Sequence, residues 1–387
     1  MSAIRLKGYR WGDDVFGIRK HLVVMASVSC ANSIVERIAA TDHDVIPITH
    51  QHGCTHIADD TEQVLRTLAG TCSNPNVGAV LLVGLGCETL SVETIASRMN
   101  STGKMVETLV IQQIGSIERI MDVATQTLHK MKAFLSIRQR CDVEIGGLMV
   151  GLECGGSDPF SGITANPAVG LISDRLVELG ATVILSEIPE MIGAEAALEP
   201  RIRDEDVRQR LFARIRDYVA YAKTRGCDLR GANPTPGNMR AGLSSIEEKS
   251  LGCIVKGGHS EIREFVQYAQ RPTSKGMVVM DTPGNDNESL TGLAAGGAHL
   301  MLFTTGVGTP LGNPVAPVVK ISSNTRTYER MKDFIDIDAG RIVGGLGIES
   351  VADEIFSLTV DVCNGRQTAS ERNCCREFAI NRIGLSF

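Results

Sequence analysis

The stretch LMVGLECGGSD (residues 148–158) is a short apolar run that ends in a glycine-rich turn carrying a cysteine and acidic residues. Four other stretches end a short apolar run with a small polar or glycine-rich turn that carries a cysteine or an acid: VVMASVSCANS (23–33), VIPITHQHGC (45–54), VLLVGLGCET (80–89) and VILSEIPE (183–190). In an open parallel sheet, the loops at the carboxyl ends of the strands converge on one crevice, where ligands bind. We therefore expect an α/β fold in which the polar residues after these runs lie close together in a binding site.

Apolar runs of this kind alternate along the chain with amphipathic stretches, which is the pattern of βα units that build parallel sheets. The chain has 387 residues, 43% of them hydrophobic, which is enough for two domains with well-buried cores. A long charged helical pattern ends at Arg140, and a new strand pattern begins at Ile145. We therefore predict one α/β domain over residues 1–140 and a second over residues 141–387.

The charge balance limits the class of ligand. A net charge of −6 at pH 7, with no run of Lys or Arg, gives no electrostatic reason to bind nucleic acid or an anionic membrane, so we expect small-molecule ligands. The N-terminal residues MSAIRLKGYRWGDD lack the features of a signal peptide, and no apolar run reaches the length of a membrane span. Both observations predict a cytoplasmic protein.

Eleven cysteines without a CxxC pair predict reduced thiols or metal ligands rather than disulfides. Cys30, Cys54, Cys87 and Cys154 follow apolar runs, where use as a ligand or in catalysis competes with the alternative of a small buried hydrophobe. Thiolates, imidazoles and carboxylates gathered at one crevice are suitable ligands for a divalent transition metal.

Acids and histidines near these runs point to the same chemistry. SEIPEMIGAE places Glu187, Glu190 and Glu195 after a strand, and burying three acids is costly unless protons or a cation accompany them. The alternative is an exposed charged loop. His50 and His52 flank one residue in THQHGC, so both can lie on one face of an extended segment and one of them can bind a metal.

The glycine-rich turns ECGGSD and VKGGHS predict an anion-binding site, because backbone N–H groups at a helix start can hold a carboxylate or phosphate. Neither GxGxxG nor GxxxxGK[ST] occurs in them, which argues against a dinucleotide site and a P-loop. The alternative is that these glycines only permit tight turns. The residues that we expect to bind the substrate are Gly155, Gly156, Ser157, Asp158, Asn166, Gly257, Gly258 and Asp281.

Nine strings along the chain together resemble the altronate and galactarate dehydratase family. They are GYRWGDDVFGIRK, SCANS, THQHGC, NPNVGAVLLVGLGCE, ECGGSDPFSGITANPAVG, SEIPEMIGAE, GLSSIEEKSLGCIVKGG, VVMDTPGND and APVVKISSNT. The resemblance extends from Gly8 to about Gly365. It implies a hydro-lyase that converts a sugar acid to a 2-keto-3-deoxy acid with ferrous iron or a similar divalent ion. It also implies a dimer-forming first domain that contributes to the active site and a Rossmann-like second domain, mostly parallel, with an unusual crossover.

The N-terminal β-clip domain of full-length members of this family is absent from the chain, so the resemblance implies a separate small, SAF-like partner subunit. A related activity, that of the sulfolactate sulfo-lyase large subunit, is the alternative for the reaction. The strings THQHGC and VGLGCE, which carry Cys54 and Cys87, favour dehydration. A non-catalytic subunit that binds a sugar acid is the second alternative.

Dehydration requires a base for the proton next to the carboxylate, an acid for the departing hydroxyl, and positive charge to stabilise the intermediate. We expect Fe²⁺ as the ion, with Mn²⁺ as an alternative, and the cysteines also fit an iron–sulfur cluster. Because histidines and glutamates accompany these cysteines, we favour a single metal ion over an iron–sulfur cluster. The predicted metal ligands are His50, Cys54, Cys87, Cys154, Glu187 and Glu195. The predicted acid–base residues are His52, Lys249, Lys256 and His259.

Overall fold

The structure is a computed structural model that describes residues 4–12, 15–227, 229 and 233–384. Its β-strands are β1 (Arg5–Arg10), β2 (Phe16–Gly17), β3 (His21–Ala26), β4 (Val45–Ile48), β5 (Val77–Gly84), β6 (Met105–Val110), β7 (Cys141–Glu144), β8 (Met149–Gly155), β9 (Thr182–Leu185), β10 (Ile262–Val266), β11 (Gly276–Met280), β12 (Leu300–Thr305), β13 (Val318–Ser322) and β14 (Ile337–Asp338). Its α-helices are α1 (Asn32–Ala39), α2 (Ala58–Ser73), α3 (Val92–Arg98), α4 (Ile111–Ile114), α5 (Ile117–Ser136), α6 (Ala165–Glu178), α7 (Glu195–Leu198), α8 (Glu205–Thr224), α9 (Pro236–Arg240), α10 (Ile246–Ile254), α11 (Asp286–Ala295), α12 (Thr325–Arg330), α13 (Ile348–Cys363) and α14 (Ala369–Arg372).

Two parallel sheets organise the chain, which confirms the predicted α/β class. The first has the strand order β4-β3-β5-β6, and the second has the order β10-β11-β9-β8-β12-β13-β14. All eight residues of β5 are buried. A continuous apolar run of this kind is typical of a parallel strand that is covered on both faces. Of the five apolar runs, four became the inner strands β3, β5, β8 and β9, and the fifth became the edge strand β4.

The seven-stranded sheet has the Rossmann-like form with an unusual crossover that the family resemblance implied. The chain passes from β8 to β9, then to the edge strand β10, and returns to insert β11 between β9 and β10. It next crosses to β12, on the other side of β8, and continues outward to β13 and β14. The connections that follow β8 and β12 thus run in opposite directions. Ligands of open α/β sheets bind outside the carboxyl ends of strands at such a point.

A third, antiparallel sheet of order β2-β1-β7 joins the N-terminal segment to the start of the second parallel sheet. The apolar patterns of these short strands are weak, and the sequence analysis did not predict them. It also missed β10, an edge strand with a polar residue at its centre. Short strands are stabilised by pairing with distant segments, which leaves little local signal.

The two parallel sheets share buried contacts. Asn74, at the end of α2, donates its side-chain amide to the carbonyls of Ala294 and Ala298. Asn76 donates likewise to the carbonyls of His299 and Val315. These bonds satisfy buried backbone carbonyls of the segment that contains α11 and β12, and they fix α2 against α11. No helix in the described part of the chain combines the length and the apolar character needed to cross a membrane.

Candidate functional site

Three acidic side chains converge at the carboxyl ends of the strands of the seven-stranded sheet. Glu153 lies in β8, Glu187 follows β9, and Asp286 is the first residue of α11. One carboxylate oxygen of each lies within 4.8 Å of the others. Glu153 and Glu187 are 0% and 1% exposed. We call these three residues the acidic triad.

The backbone and nearby hydroxyls hold the acidic triad in place. Glu187 has a left-handed conformation with φ of 67°, which is strained for a residue with a Cβ. Its N–H donates to Thr282 Oγ1 at 2.6 Å. Ser186 and Ser289 donate their hydroxyls to Glu153 Oε2 at 2.8 and 2.5 Å. Glu153 is therefore oriented by β9 and α11, although it belongs to β8.

Two buried lysines from the α10 segment face these acids. Lys256 Nζ donates to Glu187 Oε2 at 2.8 Å, and both side chains are 1% exposed. Lys249 Nζ donates to Glu190 Oε1 at 2.6 Å and to Asn233 Oδ1 at 2.7 Å. With Glu190 included, the site gathers four carboxyl groups and two ammonium groups. The cluster therefore holds more potential negative charge than positive charge.

The pKa shifts reflect this excess of acid. Burial, reinforced by the Glu187 and Asp286 carboxylates, raises the pKa of Glu153 well above its usual range. Burial and the neighbouring Glu187 carboxylate also raise the pKa of Asp286 to about 7. Burial alone would lower the pKa of Lys249, but the Glu190 carboxylate outweighs it and raises that pKa above its ordinary value. Lys249 is therefore a cation at neutral pH.

The acidic triad fits a divalent metal ion. Glu153 Oε1 is fully buried and has no hydrogen-bond partner among the described residues. An unpaired buried carboxylate oxygen is costly unless a cation or a proton satisfies it. A bound cation would also balance the excess of carboxyl groups over the two lysine ammonium groups. Oxygen ligands suit Mg²⁺ and Mn²⁺ as well as Fe²⁺, so the donor set supports a divalent ion without selecting one.

Two thiols lie next to the acidic triad. Cys154 Sγ is 3.3 Å from Cys253 Sγ and accepts a hydrogen bond from Lys256 Nζ at 3.1 Å. The backbone N–H of Cys154 donates to Glu187 Oε2 at 2.9 Å. The neighbouring Cys253 thiol and burial raise the pKa of Cys154 well above its ordinary value. Each of the eleven cysteines in the chain is free.

A cavity of about 310 Å³ opens beside these thiols. Lys249 and Cys253 from α10 line it on one side, and Ser157 and Asp158 from the turn after β8 line it on another. A volume of roughly 300 Å³ or more is typical of small-molecule sites. The Cys253 thiol also contacts Cys154, whose backbone N–H donates to Glu187, so the cavity adjoins the acidic triad through these two cysteines.

Several of the predicted substrate-binding residues form hydrogen bonds within the cavity wall, so their side chains are already engaged by the protein. Asp158 accepts hydrogen bonds from Ser161, Ser323 and Asn324. Asn166, which lines the cavity, donates to the Gly252 carbonyl and accepts from Thr304. These bonds give both side chains a structural role in holding the turn.

The two glycines after β8 permit close approaches. A Cβ at Gly155 would lie 2.1 Å from Asp286 Oδ2, and Gly156 has φ of +60°. In the VKGGHS turn, Gly257 accepts from Arg201 through its carbonyl, and Gly258, with φ of +63°, packs against Asp174. The second turn therefore lies against α6 rather than in the cavity.

The remaining predicted residues of the second domain lie apart from the cavity. His259 is exposed and pairs with Asp174 at 3.1 Å. Asp281 pairs with Arg214 at 2.8 Å. Glu195 is the half-buried first residue of α7. Of the predicted ligands and acid–base residues, the structure brings together Cys154, Glu187, Lys249 and Lys256.

The predicted residues of the first domain lie at the end of the four-stranded sheet. The expectation that all the strand-end residues share one edge of one sheet was wrong, because the runs belong to two sheets. His50 Nε2 lies 2.7 Å from the Ala26 carbonyl, and its Nδ1 accepts from the N–H of His52. Both ring nitrogens of His50 are thus engaged by the backbone. Cys54 is half-buried, whereas Cys87 is exposed.

Sequence reasoning missed Glu153, Asp286 and Cys253 as site residues. A glutamate within a buried apolar run is a signal in itself, because glutamate is rarely buried without a partner. Asp286 carried only the signal of an acid in the first turn of a helix, which commonly reflects the helix dipole. Cys253 lies on a helix, where a buried thiol is usually a small hydrophobe.

Comparison with known proteins agrees with this architecture. Residues 145–386 match the model of the D-galactarate/altronate dehydratase C-terminal domain. Residues 8–134 match the second domain of D-galactarate dehydratase/altronate hydrolase. The chain belongs to the altronate/galactarate dehydratase family. The resemblance identified from the sequence motifs is thereby confirmed.

Relatives within this dehydratase family cover nearly the whole chain. Altronate dehydratase of Escherichia coli (strain K12) is 34% identical over 98% of this chain and 78% of its own length. Galactarate dehydratase (L-threo-forming) of the same organism is 36% identical over 95% of this chain and 74% of its own length. The (2R)-sulfolactate sulfo-lyase subunit beta of Chromohalobacter salexigens is 33% identical over 97% of both chains.

Proposed function

We propose that this chain is the catalytic part of a hydro-lyase that removes water from an altronate-like aldonate or galactarate-like aldarate and releases a 2-keto-3-deoxy acid. Family membership supports the reaction class, since relatives that match nearly the whole chain are dehydratases. The observation that carries the proposal is the cavity of about 310 Å³ in which cationic Lys249 lies beside the buried acids.

The acidic triad is the proposed metal site, with Fe²⁺ as the expected ion and Mn²⁺ as the alternative. Glu153, Glu187 and Asp286 would hold the ion through carboxylate oxygens. When bound, such an ion supplies positive charge that favours removal of the proton next to a carboxylate. Lys256 pairs with Glu187 and does not line the cavity.

Lys249 is the proposed acid of the reaction. Its ammonium group lines the cavity, and Glu190 and Asn233 fix its position. Departure of a β-hydroxyl requires a proton, which a positioned cation can donate. The carboxylate of Glu190 keeps Lys249 protonated before the transfer. Lys249 is itself only 8% exposed, and this partial removal from water strengthens its interaction with an anionic substrate.

A second candidate function is that of the large subunit of a carbon–sulfur lyase. The (2R)-sulfolactate sulfo-lyase subunit beta is 33% identical over 97% of this chain, and its name implies a partner subunit. We propose that a small SAF-like partner subunit of the β-clip type accompanies this chain, as the family resemblance implies. We further propose that the chain forms a homodimer or a higher homo-oligomer and that it acts in the cytoplasm.

The deciding experiment is a substrate screen on anaerobically purified protein, with and without an added β-clip subunit. Formation of a 2-keto acid from an aldonate or aldarate would support the dehydratase, whereas release of sulfite from sulfolactate would support the second candidate. Metal and acid-labile sulfide are measured on the same sample. Stoichiometric sulfide would replace the single-ion site by a cluster. Tight sugar-acid binding without turnover would leave only a binding subunit.

A further inference from the structure

A second cavity, of about 420 Å³, lies between the two parallel sheets and carries an excess of positive charge. Three arginines line it: Arg66 in α2, Arg98 at the end of α3, and Arg271 in the loop before β11. Ser73 and Asn100 also line it, and no acidic side chain does. The cavity is therefore bordered by cations and by neutral hydrogen-bonding groups. We call it the arginine cavity.

The arginine cavity is distinct from the candidate active site. Ala295, the last residue of α11, lines it, whereas Asp286 of the acidic triad is the first residue of that helix. At a rise of about 1.5 Å per residue, the two ends of α11 are roughly 14 Å apart. A ligand here would contact α2 from the first sheet and the segment before β11 from the second.

The cations of the arginine cavity are only partly neutralised by the protein. Arg66 donates Nε to the Tyr268 carbonyl at 2.8 Å, which orients its guanidinium group. Arg98 pairs with Glu62, which does not line the cavity. No carboxylate partner is found for Arg271 within the residues described. Two acids, Glu62 and Asp281, thus act on the three guanidinium groups, and Asp281 is already paired with Arg214.

The pKa of Arg66 reflects both burial and the neighbouring charges. Burial lowers it, and repulsion by Arg98 lowers it further, whereas the Glu62 and Asp281 carboxylates oppose the lowering. Lys104, which borders the same region and donates to the Ser73 carbonyl, has its pKa lowered to about 7, chiefly by burial and also by Arg271. An anion bound among these groups would relieve that repulsion.

We propose that the arginine cavity binds a small multivalent oxyanion, carrying phosphate or carboxylate groups, through Arg66, Arg98 and Arg271. Guanidinium groups offer forked pairs of donors that match both kinds of oxyanion. The volume lies within the roughly 300–1,000 Å³ typical of small-molecule sites. This site is additional to the proposed dehydratase site and does not depend on that activity.

The test measures anion binding to the full chain by isothermal titration calorimetry and by thermal unfolding. The probes are inorganic phosphate and succinate, with chloride at matched ionic strength as the reference. The cavity variant is Arg98→Gln/Arg271→Gln, in which both replaced side chains are exposed. The matched control is Arg203→Gln/Arg366→Gln, which removes the same charge from exposed positions elsewhere. Similar urea unfolding of the two variants shows that both are folded.

We expect the wild-type and control proteins to bind at least one probe and the cavity variant to bind it about tenfold or more weakly, as loss of charge-assisted hydrogen bonds implies. Binding of phosphate alone would assign a phosphoryl ligand, and binding of succinate alone a carboxylate ligand. Equal binding by the cavity variant and the control would overturn the proposal. So would the absence of binding of either probe to the wild-type protein at millimolar concentrations.

Discussion

Lys256 Nζ lies 2.8 Å from Glu187 Oε2, and both side chains are almost completely buried. The pair joins the α10 segment to the end of β9, and Lys256 also donates to Cys154 on β8. A buried charge that loses its partner is costly, whereas replacing both partners is much less so. This contact therefore couples the stability of the second domain to the geometry of the acidic triad.

Replacing Lys256 alone is expected to destabilise the protein strongly. Lys256→Met leaves the Glu187 carboxylate buried without its counter-ion, which should lower the free energy of unfolding by about 3–5 kcal/mol. The double variant Lys256→Met/Glu187→Gln should recover much of that loss. Urea unfolding measures both, with exposed Lys130→Met as the control. Equal stability of Lys256→Met and the control would contradict the assignment.

Glu153→Gln tests the proposed metal site. The substitution keeps the shape of the side chain but removes a carboxyl group that has an unpaired oxygen and can ionise to bind a cation. We expect metal affinity to fall about tenfold or more and turnover to fall with it. Metal content and 2-keto acid formation are measured together, and exposed Glu144→Gln is the control. Full metal content with a normal rate would remove Glu153 from the site.

Cys154→Ser distinguishes the acidic triad from a thiolate ligand set. The thiol of Cys154 faces Lys256 and Cys253, and its raised pKa keeps it protonated. We expect the variant to keep its metal, with exposed Cys227→Ser as the control. Loss of metal from Cys154→Ser alone would restore Cys154 to the ligand set predicted from the sequence.

Lys249→Met should affect turnover more than metal binding. Removal of a general acid typically costs about 10²–10⁴ in rate. The ammonium group contacts Glu190 and Asn233 rather than the acidic triad, so metal content should stay near that of wild type. Steady-state kinetics should show a loss in kcat that exceeds any change in KM. An unchanged kcat would exclude Lys249 as the acid, and exposed Lys223→Met controls for loss of charge.

Because His299 is buried, we expect the free energy of unfolding to decrease as the pH falls. Burial lowers its pKa to about 3, below the value of about 6.5 for an unfolded chain. Between these values the unfolded chain binds a proton that the folded protein does not, so the free energy of unfolding decreases as pH falls. This group contributes up to about 1.4 kcal/mol per pH unit. His299→Gln should flatten the dependence below about pH 6.5 in urea unfolding, whereas exposed His129→Gln should not.

Much of the fold was predictable because its central strands carry strong local signals. The runs that became β3, β5 and β8 are predominantly apolar, as parallel strands covered on both faces require, although β8 also carries Glu153. The edge strand β10 escaped prediction, since its pairing with β11 rather than its own residues defines it. Motif resemblance identified the family, which the domain matches confirmed.

The candidate site was predictable only in part. Cys154, Glu187, Lys249 and Lys256 were named from the sequence, and the structure places them in one cluster. The prediction that His50 lies beside these four residues rested on its position at the end of a strand. Strand ends from two different sheets look identical in a sequence, because local patterns carry no record of which strands pair.

The sequence by itself determined the α/β class, the position of most central strands, and the family, because apolar periodicity and ordered motifs are local properties. Only the tertiary structure decided that Glu153, Glu187 and Asp286 meet, and that three arginines from separate segments border one cavity. The physical reason is that β8 and β9 pair side by side while the chain between β9 and α11 makes a long excursion. Such proximity depends on long-range burial and strand pairing, which no single segment encodes.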